Sequence, residues 1–272
     1  TARTMMAARP PPPLSHLHFL HIPKTGGTSI EMLGLRLGVR WGANDQRQRV
    51  QVRDGEEGSF KCVPPWHSPR RFPGPTFCVV REPASRWVAQ WHHEETEPSK
   101  YCDKGRFDSW TKRSLSALRA SGGNRSTRAN CHFLPTAEYA AHCSTTLRYE
   151  QLASDLRALL ECYDLGKSNA TALSAVAALE HAAGGPHQQQ KRGDTGEEPP
   201  VGGRGAGRSV QQCAAAFAQQ VRDDPRFRSL YAADMRLWRE RSSTGAAVPS
   251  CGARAGAHRF RGGGRPSLHT TS

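Results

Sequence analysis

The stretch LHFLHIPKTGGTSIEMLGLRLG, residues 17–38, decides how the rest of the chain is read. LHFLHI (17–22) is an apolar run of strand length, Pro23 breaks it, and Ile30, Leu33, Leu35 and Leu37 then supply a helix that Gly38 can end. The pattern predicts a strand, a turn and a helix. A glycine turn that opens a helix aims several backbone N–H groups, and the positive end of the helix dipole, at one point, so an anion belongs there. Gly26 and Gly27 permit close approach, the hydroxyls of Thr25, Thr28 and Ser29 can add hydrogen bonds, and Lys24 contributes a point charge from the strand end. The lysine precedes the glycines, whereas a triphosphate loop requires GxxxxGK[ST]. A partial match at Gly166-Lys167-Ser168 has Glu161 in place of the first glycine and follows a helix.

Further along, SFKCV (59–63) and TFCVVR (76–81) read as strands, the second almost uniformly apolar, as a central parallel strand buried on both faces would be. Helical patterns follow at about 83–94 and 107–120. TTLRYE (145–150) is a further strand leading into QLASDLRALLECY, with Leu152, Leu156, Leu159 and Leu160 on one face. Strands alternating with helices predict a layered α/β fold with a central, mainly parallel sheet flanked by helices. Residues 1–16, with the run Pro10 to Pro13, read as an extended arm. One domain spans 17–240, interrupted at 184–209 by a Gly- and Pro-rich insertion with almost nothing apolar to bury. VQQCAAAFAQQVRDDPRFRSLYAADMRLW then returns to a helical pattern with Phe217, Val221, Phe227, Leu230, Tyr231 and Leu237 as core candidates, and 241–272 reads as a disordered basic tail.

The formal charge of +14 predicts attraction to anions: nucleic acid, phosphorylated cofactors, sulfated glycans or an acidic membrane face. Charge alone does not choose among them, and Arg241, Arg254, Arg259, Arg261 and Arg265 place part of it in the tail. The eight cysteines form no CxxC pair and no zinc spacing. Their even number and the sequons at Asn124 and Asn169 lean toward an oxidising secretory lumen. No run approaches the ~18 apolar residues of a membrane span, and a chain that starts at Thr1 leaves room upstream for a signal or anchor.

IPKTGGTSIE resembles the 5′-phosphosulfate loop of the carbohydrate sulfotransferases that use 3′-phosphoadenosine 5′-phosphosulfate (PAPS), in particular the heparan-sulfate 2-O-sulfotransferase-like and other Golgi enzymes. CVVREPASRWVAQWHH (78–93) resembles their second signature, and the likeness runs more loosely through LRYEQLASDLRALLE and LYAADMRLW. The resemblance implies a fold like that of the P-loop nucleotide-binding proteins, sulfuryl transfer to a hydroxyl, a glycan acceptor, no metal, and the Golgi or another secretory compartment. It implies that Lys24 stabilises the bridging oxygen of PAPS, that Thr25, Gly26, Gly27, Thr28 and Ser29 hold the 5′-phosphate, and that Arg81 grips the 3′-phosphate. The family commonly has a serine eight residues after that arginine; here it is Ala89, with Ser85 or Gln90 as replacements. A base must take the acceptor's proton. His67, in CVPPWHSPRRF (62–72), stands where glycosaminoglycan-modifying relatives carry theirs, with His92, His93 and Glu94 next in line. Two other readings stand beside this one: a nucleotide-dependent phosphotransferase, and a non-catalytic polyanion binder using the arginine surplus, to which the tail at 253–265 would contribute with no specific nucleic-acid target.

Overall fold

Thr76–Val80 (β2) is the middle of a three-stranded parallel sheet, between His18–Phe19 (β1) and Thr145–Arg148 (β3). His18 lies opposite Thr76, Phe77 opposite Thr145, and Val80 opposite Arg148. The computed structural model describes residues 13–50, 62–121, 129–163 and 209–243. Its helices are Gly27–Arg36 (α1), Pro83–Glu94 (α2), Lys104–Ala120 (α3), Thr136–Ala140 (α4), Leu152–Glu161 (α5), Val210–Asp223 (α6), Pro225–Leu230 (α7) and Ala232–Ser243 (α8). The chain is therefore an α/β protein with a parallel sheet.

All of β2 is buried, which is why its sequence lacks polar alternation. Neighbouring side chains still point to opposite faces. Phe77 and Val79 join Phe19, Leu147 and the apolar sides of α1 and α5 in one core, while Cys78 enters another with Leu20, Ile22, Leu134 and Tyr139. A third core is helical: Trp87 and Trp91 of α2 pack among Phe107, Trp110, Phe217, Phe227 and Tyr231, with the Phe107 and Phe217 rings stacked 4.1 Å apart. Disulfides join Cys62 to Cys131, Cys78 to Cys143 and Cys102 to Cys213, and no described cysteine is free. Such pairing fits an oxidising setting, secreted or lumenal. No described helix is long and apolar enough to cross a membrane.

Several element boundaries differ from expectation. The strand expected over 145–150 stops at Arg148, because its backbone N–H and guanidinium turn onto Asp155 of α5 at 2.8 to 3.1 Å and draw the chain into a 3-10 turn, Tyr149–Gln151. Helix α3 starts at Lys104 because the Asp103 carboxylate caps it through the Arg106 amide, 3.0 Å away. Leu35 is 47% exposed, off the face that Ile30 and Leu33 bury. Of the strand expected at 59–63, Cys62 and Val63 are irregular and lead to a 3-10 turn, Pro65–His67; residues 59–61 lie outside the described residues. So do residues 1–12 of the arm, nearly all of the 184–209 insertion, both sequons, the segment at 166–168, and the tail beyond Ser243.

Candidate functional site

The loop after β1 begins at Pro23. Lys24 is left-handed, φ 66°, a conformation that costs a non-glycine residue about 1 kcal/mol or more. Gly26 follows at φ 88° and starts α1 with no side-chain cap. Glutamate or aspartate side chains cap α2, α3 and α7, and Ser209 caps α6. The amides of Gly27 and Thr28 are thus left for an outside acceptor, whereas that of Ser29 donates to the Gly26 carbonyl at 3.1 Å. Gly27 is required because a Cβ there would collide with the His21 imidazole beneath it. His21 is pinned through Nδ1 to Glu31 at 2.7 Å, and Glu31 also accepts the Ala43 amide at 2.8 Å.

The hydroxyls divide. Thr28 and Ser29 are half-buried at the helix start. Thr25 is wholly buried and its hydroxyl donates to the Ile22 carbonyl at 2.9 Å, so it tightens the turn and can offer an anion its amide but not that proton. The Lys24 ammonium makes no hydrogen bond or ion pair among the described residues. Loss of water, outweighing the attraction of Glu94 and aided by repulsion from Arg81, lowers its pKa to about 8.

Arg81 follows β2 directly. Its guanidinium lies 4.2 Å over the Tyr149 ring and donates to the Lys24 carbonyl at 3.3 Å, while its Nε is buried without a partner. Glu82 then caps α2 through the amides of Ala84 at 3.2 Å and Ser85 at 2.6 Å, with Pro83 in the first helical position. Ser85 and Ala89 are half-buried one turn apart on α2, and His92 is close enough to Arg81 for its charge, after burial, to help lower the imidazole to about 4. Gln90 cannot replace the missing serine: its amide donates to Glu94 and its carbonyl faces His132 Nδ1, each at 2.7 Å. The signature's other arginine, Arg86, is structural. It donates to the carbonyls of Pro23 at 2.9 Å, Leu134 at 2.8 Å and His132 at 2.9 Å, and Asp234 of α8 lies 3.9 Å away.

His67 is 9% exposed, with its ring 4.9 Å from that of His21 and 5.0 Å from that of His132; His93 lies 5.3 Å beyond His132. Burial is the main reason why His67 falls to about 3 and His132 to about 2; repulsion from His21 adds to the first, repulsion from His67 to the second, and the Lys24 charge to both. His132 and His21 drew no attention in the sequence. Only the fold brings them in: the Cys62–Cys131 disulfide joins the chain just before His132 to the loop that carries His67. Among the described residues no group of His, Cys, Asp or Glu is arranged to hold a metal ion. A surface cavity of about 300 Å³, lined by Leu35, Arg40, Asn44, Gln46 and Arg49, touches none of these residues. No protein-family model, curated protein or solved structure matches the chain.

Proposed function

We propose that the chain is a sulfotransferase that moves a sulfuryl group from PAPS to a hydroxyl of a glycan, in the Golgi lumen or another secretory compartment. One observation carries the reading: an uncapped helix start, an unengaged lysine and an arginine with an unpaired buried Nε occupy adjoining loops at the C-terminal edge of one parallel sheet. Isolated, each is compatible with a structural role. Together they suit a ligand with two anionic groups, and an adenosine bisphosphate has them. The amides of Gly26, Gly27 and Thr28, with the hydroxyls of Thr28 and Ser29, would hold the 5′-phosphate; Arg81 with Ser85 would hold the 3′-phosphate. Lys24 would steady the charge that collects on the departing phosphate oxygen as the bond to sulfur breaks. The P-loop-like layering of residues 17–240 belongs to the same proposal, supported by the strand-turn-helix order around the loop.

A thermal-shift panel tests the reading. 3′-Phosphoadenosine 5′-phosphate should raise Tm and ATP with Mg²⁺ should not; at a hundredfold excess over Kd the stabilisation amounts to about 2.7 kcal/mol. An equal response to ATP with Mg²⁺ would favour a phosphotransferase. Salt-sensitive heparin binding with no response to the bisphosphate would leave a polyanion binder.

A further inference from the structure

The hydrogen-bond directions around His132 carry an inference that rests on the sulfotransferase reading and deepens it. Trp110 Nε1 can only donate, and it donates to Glu94 at 2.6 Å. The same carboxylate accepts from the Gln90 amide at 2.7 Å, so the Gln90 carbonyl is left facing His132 Nδ1, also at 2.7 Å. That carbonyl cannot donate. The neutral His132 ring therefore carries its proton on Nδ1, and Nε2 holds the lone pair. His132 Nε2 makes no hydrogen bond among the described residues and is not sealed from solvent, whereas His67 Nδ1 is sealed and unpaired and the Asn130 backbone engages the His67 ring.

We propose that His132 is the catalytic base, its tautomer fixed by the Trp110–Glu94–Gln90 chain and its ring backed by His67. The acceptor's O–H bond breaks and its proton moves to His132 Nε2, while the hydroxyl oxygen's electron pair forms the new O–S bond. The S–O bond to the 5′-phosphate breaks, and its electron pair leaves on the bisphosphate beside Lys24. The imidazolium then releases the proton to water, with exposed His93 alongside. His67, His93, Lys24 and Arg86 are the titratable groups that face His132. Lys24 and Arg86 depress its basicity, so an anionic donor that offsets the Lys24 charge raises that basicity as the reaction begins. Arg86 fixes the spacing, since its guanidinium holds the Pro23 carbonyl beside Lys24 and the carbonyl of His132.

The test uses the full chain and begins with a measurement that needs no acceptor. Long-range proton–nitrogen NMR of histidine-labelled protein should show His132 protonated at Nδ1 and bare at Nε2, and Gln90→Leu should release it toward the Nε2–H form. An Nε2–H ring in the unaltered protein overturns the proposal. With radiolabelled PAPS and desulfated heparin, His132→Gln should cut turnover by about 10²-fold or more, with affinity for 3′-phosphoadenosine 5′-phosphate within about twofold, a split that a packing role would not produce. Gln90→Leu should lower turnover less and leave the donor KM unchanged. Unimpaired turnover in His132→Gln overturns the assignment of the base alone. If the unaltered chain fails to bind the bisphosphate, the sulfotransferase reading falls and this proposal falls with it.

Discussion

Lys24 and Arg81 are two cations on adjoining loops, and neither forms a direct ion pair among the described residues. Burial lowers Lys24 to about 8, so at neutral pH the ammonium is still charged but held at a cost that an anion would relieve. The sign follows: a ligand that raises this lowered pKa must bind with proton uptake, and its affinity must fall as pH climbs past the free value. Calorimetric titration of 3′-phosphoadenosine 5′-phosphate at pH 8, in two buffers of different ionisation enthalpy, should show uptake of about half a proton, lost in Lys24→Ala. Equal heats in both buffers, or constant affinity from about pH 7 to 9, would remove Lys24 from the site. Arg81 and Arg86 stand five positions apart in one motif and look equivalent in the sequence, yet Arg86 gives its nitrogens to three backbone carbonyls while Arg81 keeps a buried Nε unpaired. The difference lies in residues 132–134, which reach α2 only in the folded chain.

At the scale of elements, what could be read from the sequence and what could not divide along local chemistry. Helix α2 was legible because Pro83 marks its start, and β2 because an almost uniformly apolar run of strand length has nowhere to lie but between two packed faces. The two loops that bring in His67 and His132 carry no such signal. Ala129, Asn130 and Cys131 are all left-handed, with φ of 48°, 58° and 66°, a run that costs each residue about 1 kcal/mol or more and persists because tertiary contacts overrule it. The Cys62–Cys131 disulfide is one such contact, and the Tyr139 hydroxyl, donating to the His67 carbonyl at 2.9 Å and the Cys131 carbonyl at 3.3 Å, is another. Replacing both cysteines by alanine should cost about 2–4 kcal/mol in denaturant unfolding and depress turnover more than bisphosphate affinity. If affinity fell with turnover, the clasp would be holding the donor loop rather than the imidazole pair.

Across the whole molecule, three parallel strands end at one edge, and the segment leaving each strand is tied to the segments beside it. Arg81 after β2 contacts the Lys24 carbonyl after β1 and the Tyr149 ring after β3, and the Glu82 amide donates to Glu150 at 2.9 Å. A Cβ on Gly26 would come within 3.1 Å of that same Tyr149 ring. This convergence was legible from the strand-turn-helix pattern, since parallel strands connected by helices must all end at the same side of the sheet. The partners that close the site from outside the sheet, α8 through Asp234 and the turn at 129–135, were not. The most direct measurement compares the affinities of 3′-phosphoadenosine 5′-phosphate and AMP, which lacks the 3′-phosphate, for the unaltered chain, Lys24→Ala and Arg81→Ala. If one cradle holds both phosphates, Lys24→Ala weakens both ligands, whereas Arg81→Ala weakens the bisphosphate by about 10- to 100-fold and AMP by no more than about twofold. Equal losses for the two ligands in Arg81→Ala, or bisphosphate binding that neither substitution alters, would contradict the account.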